Sequence, residues 1–275
     1  MTKPSTSLAI EWDSPWGRFL PGNSWLRNAP RVVAFMSFDF GRRALEQLVQ
    51  MHRSSAIDLV GVCTDDALDH RAKICKKRRT WQYLSPIAIE ATQKGTEALA
   101  LAVQTPLYTG KIRTRFFIEK LLPTWRPDII VMYGFGQVIP REVFDYPSWG
   151  MYNLHPSDLA MGLYPGADPF GDMARDAAIS TAVTLHHVTE EVDGGTIVAT
   201  SPHVPLPDAF DTSAENLTTA FSRIAPLGRH LVRDLIRTAS ATCTPVYSLA
   251  GSLQKTGSTP AATADVGSHA IYGRH

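Results

Sequence analysis

The chain has 275 residues, 44% of them hydrophobic and 19% charged, with a formal net charge of +1. That length suffices for one large domain with an appendage, and the composition excludes a disordered or fibrous chain. A charge this close to zero gives no support to nucleic acid as a partner. Cys63, Cys75 and Cys243 are scattered, forming neither a disulfide framework nor a Cys-x-x-Cys zinc site. No apolar run approaches the roughly 18–20 residues a membrane helix needs. The polar start Met1-Thr2-Lys3-Pro4 lacks the apolar core of a signal peptide, so the expected location is cytoplasmic, with no membrane partner.

Residues 1–30 show no clear period and read as an N-terminal extension holding Trp12, Trp16 and Trp25. A strap over the domain's own apolar surface is the expected role, a homodimer contact the alternative. Residues 31–36 form an apolar run of buried-strand type. The turn Ser37-Phe38-Asp39-Phe40-Gly41 then leads into a helix with Leu45, Leu48 and Val49 on one face. Asp39 is placed to accept N–H bonds near the start of that helix. A second strand is expected over 57–63, which gives a right-handed βαβ unit. The first turn lacks the glycine fingerprint of a dinucleotide site. Residues 64–111 are hard to read; Arg71, Lys73 and Lys76-Lys77-Arg78-Arg79 suit either a solvated loop or a clamp for an anionic substrate.

A helix is expected over 113–122, ended by Pro123 and Pro127. A third buried strand, 128–132, leaves through Tyr133-Gly134-Phe135-Gly136, and a short helix over 140–146 follows. Met151 to His155 reads as a strand that Pro156 stops. Thr212-Ser213-Ala214-Glu215 has capping-box form and opens a helix bearing Leu217, Phe221, Ile224, Leu231, Leu235 and Ile236. The fold class is therefore α/β, a Rossmann-like, mostly parallel sheet with helices on both faces. The catalytic domain is expected over 31–237, with a largely irregular tail over 238–275.

The chemistry concentrates between residues 150 and 197. Strand alternation points Asn153 and His155 the same way, at a strand end where a parallel sheet keeps its ligand crevice. Asp193 lies in the glycine turn Glu190-Glu191-Val192-Asp193-Gly194-Gly195, after the alternation Ala182-Val183-Thr184-Leu185-His186. An Asn amide can donate to an oxyanion, an imidazole can exchange protons near neutral pH, and a carboxylate beside it raises its proton affinity.

The order Asn153-Leu154-His155-Pro156-Ser157, then a glycine-containing loop, then Asp193-Gly194-Gly195 resembles the folate-dependent formyltransferases. The resemblance reaches upstream to Tyr133-Gly134-Phe135-Gly136-Gln137-Val138-Ile139-Pro140 and spans about residues 31 to 237. It implies N10-formyltetrahydrofolate as formyl donor and Asn153, His155 and Asp193 as the catalytic trio, with no metal. It further implies a pterin pocket walled on one side by Phe135, Gly136, Gln137, Val138 and Ile139, largely through backbone. Glu190, Glu191 and Val192 form the other side. The loop holding Tyr164 and Gly166 would meet the small-molecule amine acceptor.

Departures bear on the acceptor. Asp158-Leu159-Ala160 stands where the family often reads Leu-Leu-Pro, and the first turn is not the Gly/Ser-rich phosphate turn of members that formylate glycinamide ribonucleotide. Residues 238–275 are too few for the C-terminal barrel of initiator-tRNA members. An amino sugar on a nucleotide is the leading acceptor. The alternatives are hydrolysis of the formyl donor and a non-catalytic folate-binding protein. A metal hydrolase using His155, His186, His187 and Asp193 is disfavoured. Adjacent His186 and His187 point to opposite strand faces, and one is expected to pack or cap the core.

Overall fold

The computed structural model describes residues 12–14, 17–20, 29–64 and 83–248. Trp16, Trp25, the Trp12 side chain, the basic run 71–79 and the segment from 249 lie outside the described residues.

A nine-stranded sheet organises the chain. Its order is β1 (Trp12–Ser14), β2 (Gly17–Leu20), β5 (Leu107–Gly110), β4 (Asp58–Thr64), β3 (Arg31–Met36), β6 (Ile129–Tyr133), β7 (Met151–His155), β9 (Thr184–His187), β10 (Ile197–Thr200). The five strands from β5 to β7 are mutually parallel. The outer pairings, β1–β2, β2–β5, β7–β9 and β9–β10, are all antiparallel. A small second sheet pairs β8 (Ser180–Thr181) with β11 (Val204–Pro205). This is the α/β, mostly parallel architecture that the alternation of strands and helices predicts.

Both faces of the parallel sheet are covered, which is why its strands read as continuous apolar runs. β3 shows the division. Val32, Ala34 and Met36 join one core with α1 (Phe38–Arg53), α2 (Pro86–Leu101), α5 (Pro169–Arg175) and α6 (Ala214–Thr242). Val33 and Phe35 join the other, under a π-helical segment Phe116–Leu121, α3 (Leu122–Trp125) and α4 (Arg141–Phe144). The β3–α1 turn is tied to the neighbouring strand by Ser37 N–H donating to the Tyr133 carbonyl at 3.1 Å. The C-terminal ends of β3, β6 and β7 therefore share one rim, where an open α/β sheet keeps its crevice.

Several expectations are corrected. The N-terminal extension adds an antiparallel hairpin, β1–β2, to the sheet edge through β5; strands of three and four residues are too short to show a period. The hard stretch 64–111 contains α2 and β5. Helix 113–122 is replaced by the π segment running into α3, and Pro123 does not end it. That proline sits in the first turn of α3, where no N–H is required. The N-cap of α6 is Ser213, whose hydroxyl accepts from Asn216 N–H at 3.4 Å, so Glu215 is not its capping partner. α6 continues to Thr242, five residues beyond the expected domain end, and Val246 after it is buried. Asp39 does not cap α1; it binds the guanidinium groups of Arg42 and Arg43.

Candidate active site

The register of β7 on β9 sets the site. Asn153 lies opposite His186, and His155 opposite Thr184. Directly paired residues on adjacent strands bring their side chains together on one face. Beyond Pro156 the chain folds back over this face because its turns are pinned. Thr181 and Thr184 hydroxyls donate to the carbonyls of Pro156 and Ser157, at 3.0 and 2.7 Å. The buried Ser157 hydroxyl donates to the Leu163 carbonyl at 2.7 Å. Asp158, the departure from the family pattern, lies 2.8 Å from His203 Nε2 and accepts from Met161 N–H. Left-handed φ angles at Gly162, Tyr164 and Gly166 complete the reversal.

That reversal brings backbone groups to the trio. The Tyr164 carbonyl lies 2.7 Å from His155 Nε2, and Gly166 N–H donates to Asp193 Oδ2 at 2.8 Å. Asp193 itself has φ 56°, a left-handed conformation an Asp tolerates better than most residues. Its carboxylate is the hub. Oδ2 is 3.5 Å from His155 Nδ1, and Oδ1 is 3.3 Å from Asn153 Nδ2 and 3.4 Å from His186 Nε2. Asn153 Nδ2 also lies 3.0 Å from His186 Nε2. Asn153, His155 and His186 are buried, and the Asp193 side chain is 8% exposed.

Electrostatics follow from this packing. Burial pushes the Asp193 carboxyl up, but the N–H groups of His186 and His155 in their protonated forms, together with the Gly166 N–H, outweigh it and hold the group at about 2. Asp193 is therefore a carboxylate across the working range of pH. Burial lowers the His155 pKa, and the Asp193 charge only partly opposes that. His155 is thus poised neutral. Its Nε2, facing a carbonyl, carries the ring proton, leaving Nδ1 as a bare acceptor beside Asp193.

The three residues named from sequence, Asn153, His155 and Asp193, lie in one contiguous cluster. Tyr164 and Gly166, expected to meet the acceptor, reach the trio through backbone groups: the Tyr164 carbonyl lies against His155 and the Gly166 N–H against Asp193. One of the adjacent histidines is expected to pack or cap the core; His186, not assigned to the trio from sequence, sits against both Asn153 and Asp193. The cross-strand pairing Asn153↔His186 was the signal that could have found it. His187 turns away and packs against Tyr152 and Tyr247. Among the described residues, no group of three or more His, Cys, Asp or Glu is arranged to hold a metal ion. No helix among them is long and apolar enough to cross a membrane.

The expected pocket walls use their side chains unevenly. Phe135 and Ile139 are buried in the second core, Phe135 with its ring centroid 5.0 Å from that of Phe35. Gln137 ties the rim to the end of β5: Nε2 donates to the Gly110 carbonyl and Oε1 accepts from Ile112 N–H. Gly136 is exposed. Val138 and Val192 are 56% and 60% exposed, one on each wall. Glu190 and Glu191 are exposed, and Glu190 reaches across to Arg141 at 2.8 Å.

Known proteins share this architecture. The sequence pattern described as formyl transferase matches residues 32–224. Methionyl-tRNA formyltransferase of Bacillus cytotoxicus is 30% identical over 207 residues, 75% of this chain and 57% of that protein. The Lysinibacillus sphaericus enzyme of the same name is 29% identical over 146 residues, 53% of this chain and 44% of that protein. The chain thus spans about half the length of the curated relatives it matches. Among solved structures, glycinamide ribonucleotide transformylase 1 from Geobacillus kaustophilus superposes with a TM-score of 0.51 at 20% identity, covering 74% of this chain and 95% of that one. Phosphoribosylglycinamide formyltransferase from Coxiella burnetii gives 0.53 at 17% identity, covering 78% and 89%. At those identities the structures speak to the fold, and the matched sequence pattern to kinship. With that pattern running across the sheet, the trio and the turn of Asp193, the chain belongs to the formyl transferase family.

Proposed function

We propose that this chain moves a formyl group from N10-formyltetrahydrofolate to the primary amine of a small acceptor. The observation that carries the reading is the buried convergence of Asn153, His155 and Asp193 at the end of β7. The amine lone pair attacks the formyl carbon, and the carbonyl π electrons move to oxygen. Asn153 supplies an N–H to that oxyanion; the bond most readily exchanged is the 3.3 Å contact to Asp193. His155, neutral and bare at Nδ1, takes a proton from the attacking nitrogen. The positive charge this creates lies 3.5 Å from Asp193 Oδ2, so the carboxylate stabilises the imidazolium as it forms. Collapse breaks the bond from the formyl carbon to N10 of the folate, and His155 returns its proton to that nitrogen.

The rim of 135–139 and the turn of 190–192 suit a flat heterocycle that is polar at its edge. Loop backbone would meet that edge, while Val138 and Val192 offer apolar contact. For the acceptor, an amino sugar on a nucleotide is the first candidate. The turn 37–41 carries Asp39, ill suited to a phosphate, so the basic run 76–79 is the proposed phosphate contact. The relatives named for methionyl-tRNA set a competing arm, a tRNA-borne amine. The test is release of tetrahydrofolate from the formyl donor with a panel of amines, including an amino-sugar nucleotide and methionyl-tRNA. Release that depends on one amine supports transfer. Equal release without any amine would assign the chemistry to hydrolysis, and no release under any condition would overturn the reading.

A further inference from the structure

We infer that Gly195 is a positioning residue: the room it leaves for the His187 carbonyl fixes the His186 tautomer that holds Asn153. The inference rests on the formyl-transfer reading for its catalytic consequence, but its geometry stands independently. His186 Nδ1 lies 3.0 Å from the carbonyl oxygen of His187. A carbonyl only accepts, so in the neutral ring the proton belongs on Nδ1 and Nε2 is left with a lone pair. Asn153 Nδ2 stands 3.0 Å from that Nε2 and 3.3 Å from Asp193 Oδ1. The amide's two N–H groups thus meet two acceptors. The reversed amide would set its oxygen against the carboxylate.

A competing arrangement exists. His186 Nε2 is also 3.4 Å from Asp193 Oδ1, so a proton on Nε2 would serve the carboxylate and repel the Asn153 amide. The shorter contact, and the carbonyl at the other ring nitrogen, favour the lone pair on Nε2. The position of one peptide group therefore decides whether Asn153 is held.

That peptide group is located by packing. The His187 ring lies 3.8 Å, centroid to centroid, from Tyr247 and 5.8 Å from Tyr152, and the His187 backbone N–H donates to the Thr196 carbonyl at 2.9 Å. A methyl group on Gly195 would run into the His187 carbonyl oxygen and lie 2.8 Å from the carbonyl carbon. Unlike Gly162 and Gly166, Gly195 does not have a left-handed φ. Glycine is required there for space alone, and the atom it makes space for is the acceptor of His186.

The test is long-range nitrogen–proton NMR on histidine-labelled protein at neutral pH, with kinetics of formyl transfer in parallel. His186 should carry its proton on Nδ1 in the wild type. Gly195→Ala should shift that signal toward the other tautomer. Its kcat should fall about 10- to 100-fold, the scale of a misplaced catalytic group, with KM for the donor unchanged. His186→Gln offers Asn153 a permanent acceptor, so adding Gly195→Ala to it should lower kcat no further. An Nε2 proton or a doubly protonated His186 in the wild type overturns the inference, even if transfer is normal. So does an equal loss from Gly195→Ala in both backgrounds. Should Gly195→Ala not fold, the wild-type tautomer decides alone. A wild type with the expected tautomer and no transfer would instead overturn the proposed function, and with it the catalytic role of this residue.

Discussion

The trio and the expected folate rim lie at the same end of the sheet and are built in opposite ways. At the trio, side chains meet side chains: Asn153, His155, His186 and Asp193 pack against one another, and the loop contributes the Tyr164 carbonyl and Gly166 N–H. At the rim, side chains turn to structural partners. Phe135 and Ile139 go to the core, and Gln137 goes to β5, which leaves backbone, two valines and the exposed Glu190 and Glu191 facing out. The difference teaches which substitutions should be chemical and which merely steric. On the proposed function, changing a trio side chain removes a reacting group, whereas changing a rim side chain alters a wall whose polar edge is backbone.

The sharpest break of that contrast is at the trio. Asn153→Ala, His155→Ala and Asp193→Ala should each lower kcat by roughly 100- to 10,000-fold, with donor affinity measured by titration little changed. Thermal unfolding should remain cooperative in all three. His186→Ala should come next, at about 10- to 100-fold in kcat, because it loosens Asn153 without removing a reacting group. Near-wild-type kcat in His186→Ala would place His186 in packing after all.

A second contrast is in pH. Asp193 is depressed to about 2 in the folded chain, against an unfolded carboxyl near 3.8. Its contribution is therefore present above about pH 4 and is lost as pH falls toward 2. Asp193→Asn should lower stability at neutral pH by roughly 2 kcal/mol and flatten the acid limb of denaturant-unfolding curves. His155 acts in the same direction in a different window: its folded pKa is lowered below the ordinary 6.5, so stability falls as pH drops below that value, and activity should hold through neutrality and fall only beneath it.

The smallest effects belong to the rim. Val138→Ala and Val192→Ala should raise KM for the donor by a few fold, about 1 kcal/mol of lost apolar contact, with kcat unchanged. Breaking the exposed Glu190–Arg141 pair should change stability by less than about 1 kcal/mol. A large kcat loss at Val138 would mean the rim does more than hold a ring.

Much of this was legible in the sequence because the relevant signals are local. The runs that became β3, β4, β6 and β7 are apolar because both sheet faces are covered, and the strand alternation placed Asn153 beside His155. What escaped reading was non-local or short. His186 meets Asn153 only through the register of β9 on β7, which no period within one strand reveals. β1, β2 and β5 are stabilised by their neighbours and not by a pattern of their own. Tyr164 and Gly166 stood out as loop residues, yet a backbone carbonyl and N–H carry their contacts, and side-chain identity says nothing about where those groups point.

The central claim is that Asn153, His155 and Asp193 act as one device on a formyl group. The most direct measurement is the single-turnover rate of formyl transfer in His155→Ala, Asp193→Ala and the double variant. A shared device predicts that the double variant is about as slow as the slower single one. Losses that multiply would show two independent contributions and would contradict the account.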